Sequence, residues 1–251
     1  MIEVHELTKT FIDKKRGEIK AVNAITFRCE PGEVYGLLGA NGAGKTTALR
    51  MLATILRPTS GTAIVAGYDV ASEAQKVRSR VGFLSTATSL YGRLTAREMV
   101  EYFGRLNGID GKRLRQAVDE IFSVWKIDEF SDRRCDKLST GMKQKVSIAR
   151  TLIHDPQVMI FDEPTAGLDV MTSRTILEFV RTCRSRSKTV VLSTHIMSEA
   201  AMLCDRIGIV QNGSMLAEGT LKELQLRYDE PDLEKIFLQV TGEEQCHLVT
   251  H

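Results

Sequence analysis

The sequence contains no long apolar run. Its longest stretch without Asp, Glu, Lys or Arg is 12 residues, Val81 to Gly92, whereas a helix that crosses a bilayer takes about 18 or more apolar residues. We therefore expect no transmembrane helix. The first residues also lack the apolar centre of a secretory signal, because Glu3, Glu6 and Lys9 interrupt them. From both features we expect a chain that stays in the cytoplasm.

The sequence has almost no excess of charge and no closely spaced pair of cysteines. It has 34 Lys and Arg residues against 32 Asp and Glu, a net charge of +2, so no overall field favours nucleic acid as a partner. The five cysteines are widely spaced, which indicates reduced structural thiols rather than a metal or redox site. With 43% apolar and 26% charged residues over 251 positions, the composition indicates a globular protein of one to two domains.

Short apolar strands alternate with helical patterns over much of the chain. This alternation is typical of a parallel sheet with helices on both faces. Near the start, the turn Glu30-Pro31-Gly32 separates two further strands. The predicted strands cover Ile19–Phe27, Glu33–Leu38, Val158–Phe161, Thr189–Ser193 and Ile207–Val210.

The middle of the chain is predicted to be helical. Thr95-Ala96-Arg97-Glu98 is a capping box that opens one amphipathic helix, and Leu114–Trp125 forms a second. A third begins after Gly141 and ends before Pro156. A short amphipathic helix over Asp232–Val240 could dock on the core or on a partner. We therefore predict an α/β core of residues 1–86 and 138–220, a helical subdomain of residues 87–137 and a C-terminal tail of residues 221–251.

The segment Gly39–Thr46, GANGAGKT, fits the pattern G-x-x-x-x-G-K-[ST] and lies between a predicted strand and a predicted helix. Its glycines let successive backbone N–H groups turn inward around phosphate oxygens. In such a loop Lys45 reaches the β- and γ-phosphates, Thr46 ligates Mg²⁺ and Thr47 contacts the α-phosphate. The alternative is a glycine-rich turn before an ordinary helix. The predicted phosphate-binding residues are Gly39, Ala40, Asn41, Gly42, Ala43, Gly44, Lys45, Thr46 and Thr47.

Two acids, Asp162 and Glu163, end a predicted buried strand at the edge of the sheet where the phosphate loop lies. There Asp162 suits a Mg²⁺ shell, and Glu163 suits deprotonation of the water that attacks the γ-phosphate. His195 follows another strand at the same edge, which favours contact with the γ-phosphate. The alternatives are a capped strand end and a structural histidine. The predicted catalytic residues are Lys45, Glu163 and His195.

The sequence Leu138-Ser139-Thr140-Gly141-Met142 resembles the LSGGQ signature of ATP-binding-cassette (ABC) ATPases. Pro164–Asp169 resembles their D-loop, and His195 matches their switch histidine. The resemblance implies a RecA-like P-loop NTPase core with a parallel sheet, an N-terminal antiparallel β lobe and an inserted α-helical subdomain. It also implies a head-to-tail homodimer around two MgATP molecules. Each ATP would contact the partner subunit through the positions Ser139, Thr140, Gly141, Met142 and Asp169.

The resemblance also identifies an adenine contact and two departures from the family pattern. Phe11 falls where the family places an aromatic ring against the adenine, with core packing as the alternative. Thr140 and Met142 replace the second Gly and the Gln of the signature, so hydrogen bonds from that Gln cannot form. Thr86 stands where the Gln of the family's Q-loop contacts Mg²⁺, which makes Thr86 a candidate metal ligand.

The resemblance implies an ATP-hydrolysing subunit that drives a separate membrane permease from the cytoplasmic face of the membrane. Ser85–Thr95 and Asp232–Phe237 resemble the sodium-export type of ABC ATPase, so we expect export of sodium or a drug-like solute. One alternative is a soluble ABC ATPase that does not act in transport. Against it, the two motifs that contain Lys45 and Asp162 are 117 residues apart here, whereas they are much farther apart in the DNA-repair members of the family. Another is a nucleotide-dependent regulator with little hydrolysis.

Overall fold

The computed structural model describes residues 1–13, 15, 17–85 and 89–242. The strands are β1 (Ile2–Asp13), β2 (Gly17–Cys29), β3 (Val34–Leu38), β4 (Ser60–Val65), β5 (Tyr68–Asp69), β6 (Val81–Ser85), β7 (Val158–Asp162), β8 (Thr189–Thr194), β9 (Arg206–Gln211) and β10 (Ser214–Gly219). The helices are α1 (Lys45–Leu52), α2 (Ala74–Arg78), α3 (Ala96–Leu106), α4 (Gly111–Trp125), α5 (Thr140–Leu152), α6 (Val170–Ser185), α7 (Met197–Leu203), α8 (Leu221–Tyr228) and α9 (Leu233–Thr241).

The strands form two sheets. One is antiparallel, with the order β2-β1-β4-β5. The other has the order β10-β9-β3-β8-β7-β6, and its five strands from β9 to β6 are parallel, with β10 added antiparallel at the edge. Every residue of β3, β7 and β8 is buried, as expected for a parallel sheet covered on both faces. The predicted parallel sheet and antiparallel lobe are therefore confirmed.

Alternate residues of the central strands supply two separate apolar cores. Val158, Ile160 and Val191 pack with α1 and the antiparallel sheet. Their neighbours Met159 and Phe161 point to the other face and pack with α6. Because strand side chains alternate between faces, the same strands hold α1 on one side of the parallel sheet and α6 on the other.

The helical lobe has a core of its own, built from α3, α4 and α5. The predicted capping box is confirmed, since the Thr95 side chain accepts from the Glu98 N–H and the Glu98 side chain accepts from the Thr95 N–H. In α5, Val146 and Ala149 pack into the lobe, whereas Ile148 packs against the parallel sheet. Helix α5 therefore joins the lobe to the sheet, although it lies beyond residue 137, where the predicted helical subdomain ends.

The C-terminal helix α9 docks on the parallel sheet. Leu233, Ile236 and Phe237 are buried in a cluster that includes Ile207 and Ile209 of β9. The amphipathic pattern allowed this helix to dock either on the core or on a partner. In the structure its apolar face contacts the core. In the part of the chain that the structure describes, no helix is long and apolar enough to cross a bilayer.

Candidate nucleotide-binding site

The glycine-rich loop connects β3 to α1, as the sequence predicted. Gly42 and Gly44 have φ angles of 83° and 105°, which side-chain-bearing residues rarely adopt. A Cβ on Gly44 would also lie 2.3 Å from the carbonyl oxygen of Ala21, so glycine is required there on two counts. Helix α1 begins without a side-chain cap, and its first N–H groups can therefore bind an anion.

Lys45 folds back into this loop. Its Nζ donates to the Gly39 oxygen at 2.6 Å and to the Ala40 oxygen at 2.9 Å, and it lies 3.3 Å from Glu163 Oε1. Only 3% of the Lys45 side chain is exposed, and a buried ammonium group requires such partners. The lysine charge is therefore held at the mouth of the loop, where phosphate oxygens could replace its present acceptors.

The loop encloses a cavity of about 250 Å³. Its lining consists of Ala21, the loop and first-turn residues from Asn41 to Thr47, and Glu163. Ala21 is on β2 of the antiparallel sheet, so the cavity lies where the two sheets meet. Ala21 was not among the predicted site residues, because no sequence pattern indicates that a single alanine lines a cavity.

Asp162 is the last residue of β7 and is buried. Its Oδ1 accepts from Thr46 Oγ1 at 2.8 Å and from Ser193 Oγ at 2.9 Å. The parallel register places Asp162 directly beside Ser193 of β8. The sheet edge thus brings together a loop residue and two strand ends that are far apart in sequence, as expected for open α/β sheets. Ser193 was not among the predicted site residues.

The Glu163 carboxylate lies between a lysine and a histidine. Its Oε1 is 3.3 Å from Lys45 Nζ, and its Oε2 is 3.5 Å from His195 Nδ1. The backbone of Glu163 has a φ of 44°, a conformation that costs an ordinary residue about 1–3 kcal/mol. The three predicted catalytic residues therefore meet at one point, and the strained turn aims the glutamate at the loop.

Thr46 and Asp162 fit a Mg²⁺ ion. Mg²⁺ prefers oxygen ligands and usually takes one or two carboxylates together with phosphate oxygens and water, and these residues present a hydroxyl and a carboxylate 2.8 Å apart. Among the described residues, no group of three or more His, Cys, Asp or Glu side chains could hold a metal ion. Thr86, the third predicted metal ligand, lies outside the described residues.

The remaining residues predicted to contact the nucleotide do not line the loop cavity. Phe11 is on β1, 40% exposed, with Lys9 Nζ 5.2 Å from its ring centroid, and it does not line the cavity. Ser139 caps α5 by accepting from the Met142 N–H at 3.3 Å. Asp169 caps α6 by accepting from the Thr172 N–H at 3.0 Å, and hydrogen bonds from Thr172 lower the pKa of Asp169.

The parallel sheet, the phosphate loop and the acids at the sheet edge define a P-loop nucleotide hydrolase. Residues 22–166 match the protein family described as ABC transporter. The chain belongs to this family, as an ATP-binding subunit, and it is an ATPase.

The similarity to individual relatives covers most of the chain. The chain is 40% identical over 239 residues to the ABC transporter ATP-binding protein NatA of Bacillus subtilis (strain 168). The alignment spans 95% of this chain and 97% of that protein. The chain is also 40% identical over 208 residues to the Nod factor export ATP-binding protein I of Paraburkholderia xenovorans, spanning 83% and 68%. A solved ATP-binding cassette, described as dimeric in a post-hydrolysis state with ADP and Pi, aligns with a TM-score of 0.78 and 26% identity, covering 88% of this chain and 98% of that one.

Proposed function

We propose that two copies of this chain close head to tail around two MgATP molecules and drive a separate membrane permease in the direction of export. The observation that carries this proposal is the position of Glu163, whose carboxylate lies at the loop cavity between Lys45 and His195. In this assignment residues 1–86 and 138–220 form the ATP-binding core, residues 87–137 the helical subdomain and residues 221–251 the tail.

Glu163 is the proposed general base. In the structure, Lys45 pairs with Glu163 and with two loop carbonyls. Phosphate oxygens are stronger acceptors for a lysine than carbonyls, so ATP would draw Lys45 towards the β- and γ-phosphates. The Glu163 carboxylate would then be free to take a proton from the attacking water, with His195 beside it to contact the γ-phosphate.

The other predicted residues have supporting roles. Thr46 and Asp162, with Thr86 as a further candidate, would hold Mg²⁺, which neutralises charge on the β- and γ-phosphate oxygens. The loop N–H groups from Gly39 to Thr47 would bind the phosphates. Phe11 is the proposed adenine contact, reached from the exposed end of β1.

The head-to-tail dimer is supported by predicted nucleotide contacts that do not line the loop cavity of the same chain. Ser139 and Asp169 cap helices whose N-termini lie outside the cavity lining. Directly after Asp169, Val170 and Met171 are 82% and 72% exposed, as expected of side chains that a partner subunit covers. The solved cassette of similar fold is described as dimeric. We therefore place each ATP between one subunit's loop and the other's Ser139, Thr140, Gly141, Met142 and Asp169.

The permease contact is proposed for the cleft between the helical lobe and the parallel sheet. A cavity of about 960 Å³ lies there. Its lining residues include the apolar Phe83, Phe103 and Leu106 and the basic Arg50 and Arg78. Such a cleft suits a short amphipathic segment of a permease on the cytoplasmic face of the membrane. Cross-linking that maps the permease elsewhere would contradict this position.

Export is supported by the relatives. One of them is named a Nod factor export ATP-binding protein, and Ser85–Thr95 and Asp232–Phe237 resemble the sodium-export type. Sodium or a drug-like solute is the proposed cargo. The identity of the permease encoded beside this chain would test the choice between them.

Replacing the proposed general base tests the mechanism. Glu163→Gln removes the proton acceptor but keeps the shape of the side chain, so phosphate release should fall roughly 10²- to 10⁴-fold, with ATP retained in a dimer. Glu178→Gln, an exposed glutamate on α6 paired with Arg174, is the matched control and should hydrolyse ATP at the wild-type rate. Turnover near the wild-type rate in Glu163→Gln would show that Glu163 is not the base. Negligible phosphate release by the wild type would favour a nucleotide-dependent regulator.

A further inference from the structure

The hydroxyl group of Ser193 lies at the junction of the two acids of the site. Ser193 is fully buried, and the register of β7 and β8 pairs it with Asp162. Its Oγ donates to Asp162 Oδ1 at 2.9 Å and accepts from the Glu163 N–H at 3.0 Å. A serine hydroxyl has one proton to donate and lone pairs to accept, so this arrangement uses both functions.

The carboxylate of Asp162 is held from two sides. Ser193 donates to Oδ1 from the neighbouring strand, and Thr46 donates to the same oxygen from α1 at 2.8 Å. Thr46 is itself a proposed ligand of Mg²⁺. The bond from Ser193 is therefore the contact that orients Asp162 independently of the metal and of the phosphate loop.

The backbone of Glu163 depends on the same serine. Its N–H is shared between the backbone oxygen of Ser193 at 3.2 Å and the side-chain Oγ at 3.0 Å. Glu163 has a φ of 44° and precedes Pro164, and the residue before a proline normally adopts an extended conformation. Such a strained turn persists only where its surroundings hold it, and Ser193 supplies both acceptors.

We propose that Ser193 is a positioning residue of the ATPase: its hydroxyl group holds the Asp162 carboxylate towards the Mg²⁺ site and fixes the turn that carries Glu163. This inference rests on the proposed roles of Asp162 and Glu163. It predicts that loss of the hydroxyl weakens the response to Mg²⁺ while leaving the phosphate loop intact, because the Ser193 hydroxyl is hydrogen-bonded to Asp162 and to the Glu163 N–H rather than to the loop.

The test measures binding of a fluorescent, non-hydrolysable ATP analogue to the full chain, with Mg²⁺ and with EDTA. In Ser193→Ala the dissociation constant in Mg²⁺ should rise roughly 10- to 100-fold, as for other groups that orient a metal ligand, while the constant in EDTA stays at the wild-type value. The phosphate-release rate should fall as well. Ser193→Thr keeps the hydroxyl group and should restore the Mg²⁺ response.

Thr189→Val is the matched control, since Thr189 is a buried hydroxyl residue at the opposite end of β8. It should bind the analogue like the wild type under both conditions. The inference would be overturned if the dissociation constant of Ser193→Ala in Mg²⁺ were unchanged, or if Ser193→Ala lost affinity equally with and without Mg²⁺. It would also be overturned if a folded Ser193→Thr failed to restore the Mg²⁺ response. If Ser193→Thr does not fold, the comparison of Ser193→Ala with Thr189→Val decides. A wild-type protein with no Mg²⁺ response would instead contradict the proposed function.

Discussion

At the scale of single residues, the site depends on backbone conformations that few side chains tolerate. Gly44 has a φ of 105° and no room for a Cβ. Glu163 also has a positive φ, of 44°. Glycine cannot take its place there, because the glutamate side chain is the proposed base. The glycine is visible in the loop pattern, whereas the strained conformation of Glu163 is not, since it is held by hydrogen bonds to a strand 30 residues away.

Gly44→Ala should lower nucleotide affinity at least roughly tenfold, because both the φ angle and the contact with the Ala21 oxygen would force the loop open. Gly67→Ala is the control, since Gly67 has a φ of 84° and open space around it. Each variant should lose about 1–3 kcal/mol of unfolding free energy, but only Gly44→Ala should lose affinity in a fluorescence titration. Unchanged affinity in Gly44→Ala would contradict this account of the loop.

His154, between α5 and β7, links stability to pH. Its Nε2 lies 3.1 Å from the Val81 oxygen, and burial lowers the pKa of His154, opposed in part by that hydrogen bond. The folded protein therefore keeps the imidazole neutral at a pH where the unfolded chain already binds a proton. By linkage, this contribution to stability is complete above the unfolded pKa of about 6.5 and falls as the pH drops below it.

We therefore expect the unfolding free energy to decline below pH 6.5, by at most about 1.4 kcal/mol per pH unit from this group. His154→Gln should show a shallower decline in denaturant titrations from pH 7.5 to pH 5. His5→Gln, which changes an exposed histidine on β1, should keep the wild-type slope. An equal slope in all three proteins would show that His154 does not govern this range.

At the scale of elements, the sequence predicted the central strands of the parallel sheet and the helices of the lobe, but it did not predict β1, β4 or the shortest elements. The apolar runs of β7, β8 and β9 and the capping box of α3 are local patterns, and the structure places elements there. Strand β5 and helix α2 have two and five residues, too few for a recognisable period. Helix α5 packs into two cores, which the predicted end of the helical subdomain at residue 137 did not indicate.

The N-terminus of α5 combines a structural and a proposed functional role. Ser139→Ala removes the cap and should cost about 1 kcal/mol of unfolding free energy. It should also slow ATP hydrolysis roughly tenfold or more, because a proposed γ-phosphate contact is lost. Thr95→Ala removes the cap of α3 in the same lobe and should lose the same stability without slowing hydrolysis. If both variants hydrolyse ATP equally, Ser139 is only a cap.

At the scale of the whole molecule, one chain holds only part of the proposed site. The phosphate loop, Asp162, Glu163 and His195 gather at one edge of the parallel sheet, while Ser139 caps a helix that does not line this cavity. A second copy would supply the missing side. The ATP-bound dimer is therefore the state in which the proposed function is to be tested.

A charge beside the D-loop should block that dimer. Val170→Glu, placed in the Glu163→Gln background, should stay monomeric with ATP in size-exclusion chromatography with light scattering, because burying an unpaired carboxylate in the interface is unfavourable. Leu226→Glu, at a side chain 84% exposed on α8, should dimerise normally. ATP binding by the monomer should be unaffected in both variants. Dimers of Val170→Glu with ATP would place the interface elsewhere.

Features that depend on neighbouring residues could be predicted from the sequence. The glycine loop with Lys45 and Thr46, the acids after β7 and the alternation of strands and helices follow from backbone conformation and apolar period, which are local. The tertiary structure was needed to show which side chains at that edge touch. Strand order and register place Ser193 beside Asp162, and they set the distances from Glu163 to Lys45 and His195, whose common sheet edge the sequence had indicated. The pairing of parallel strands is settled by packing across the whole sheet and not within any one segment.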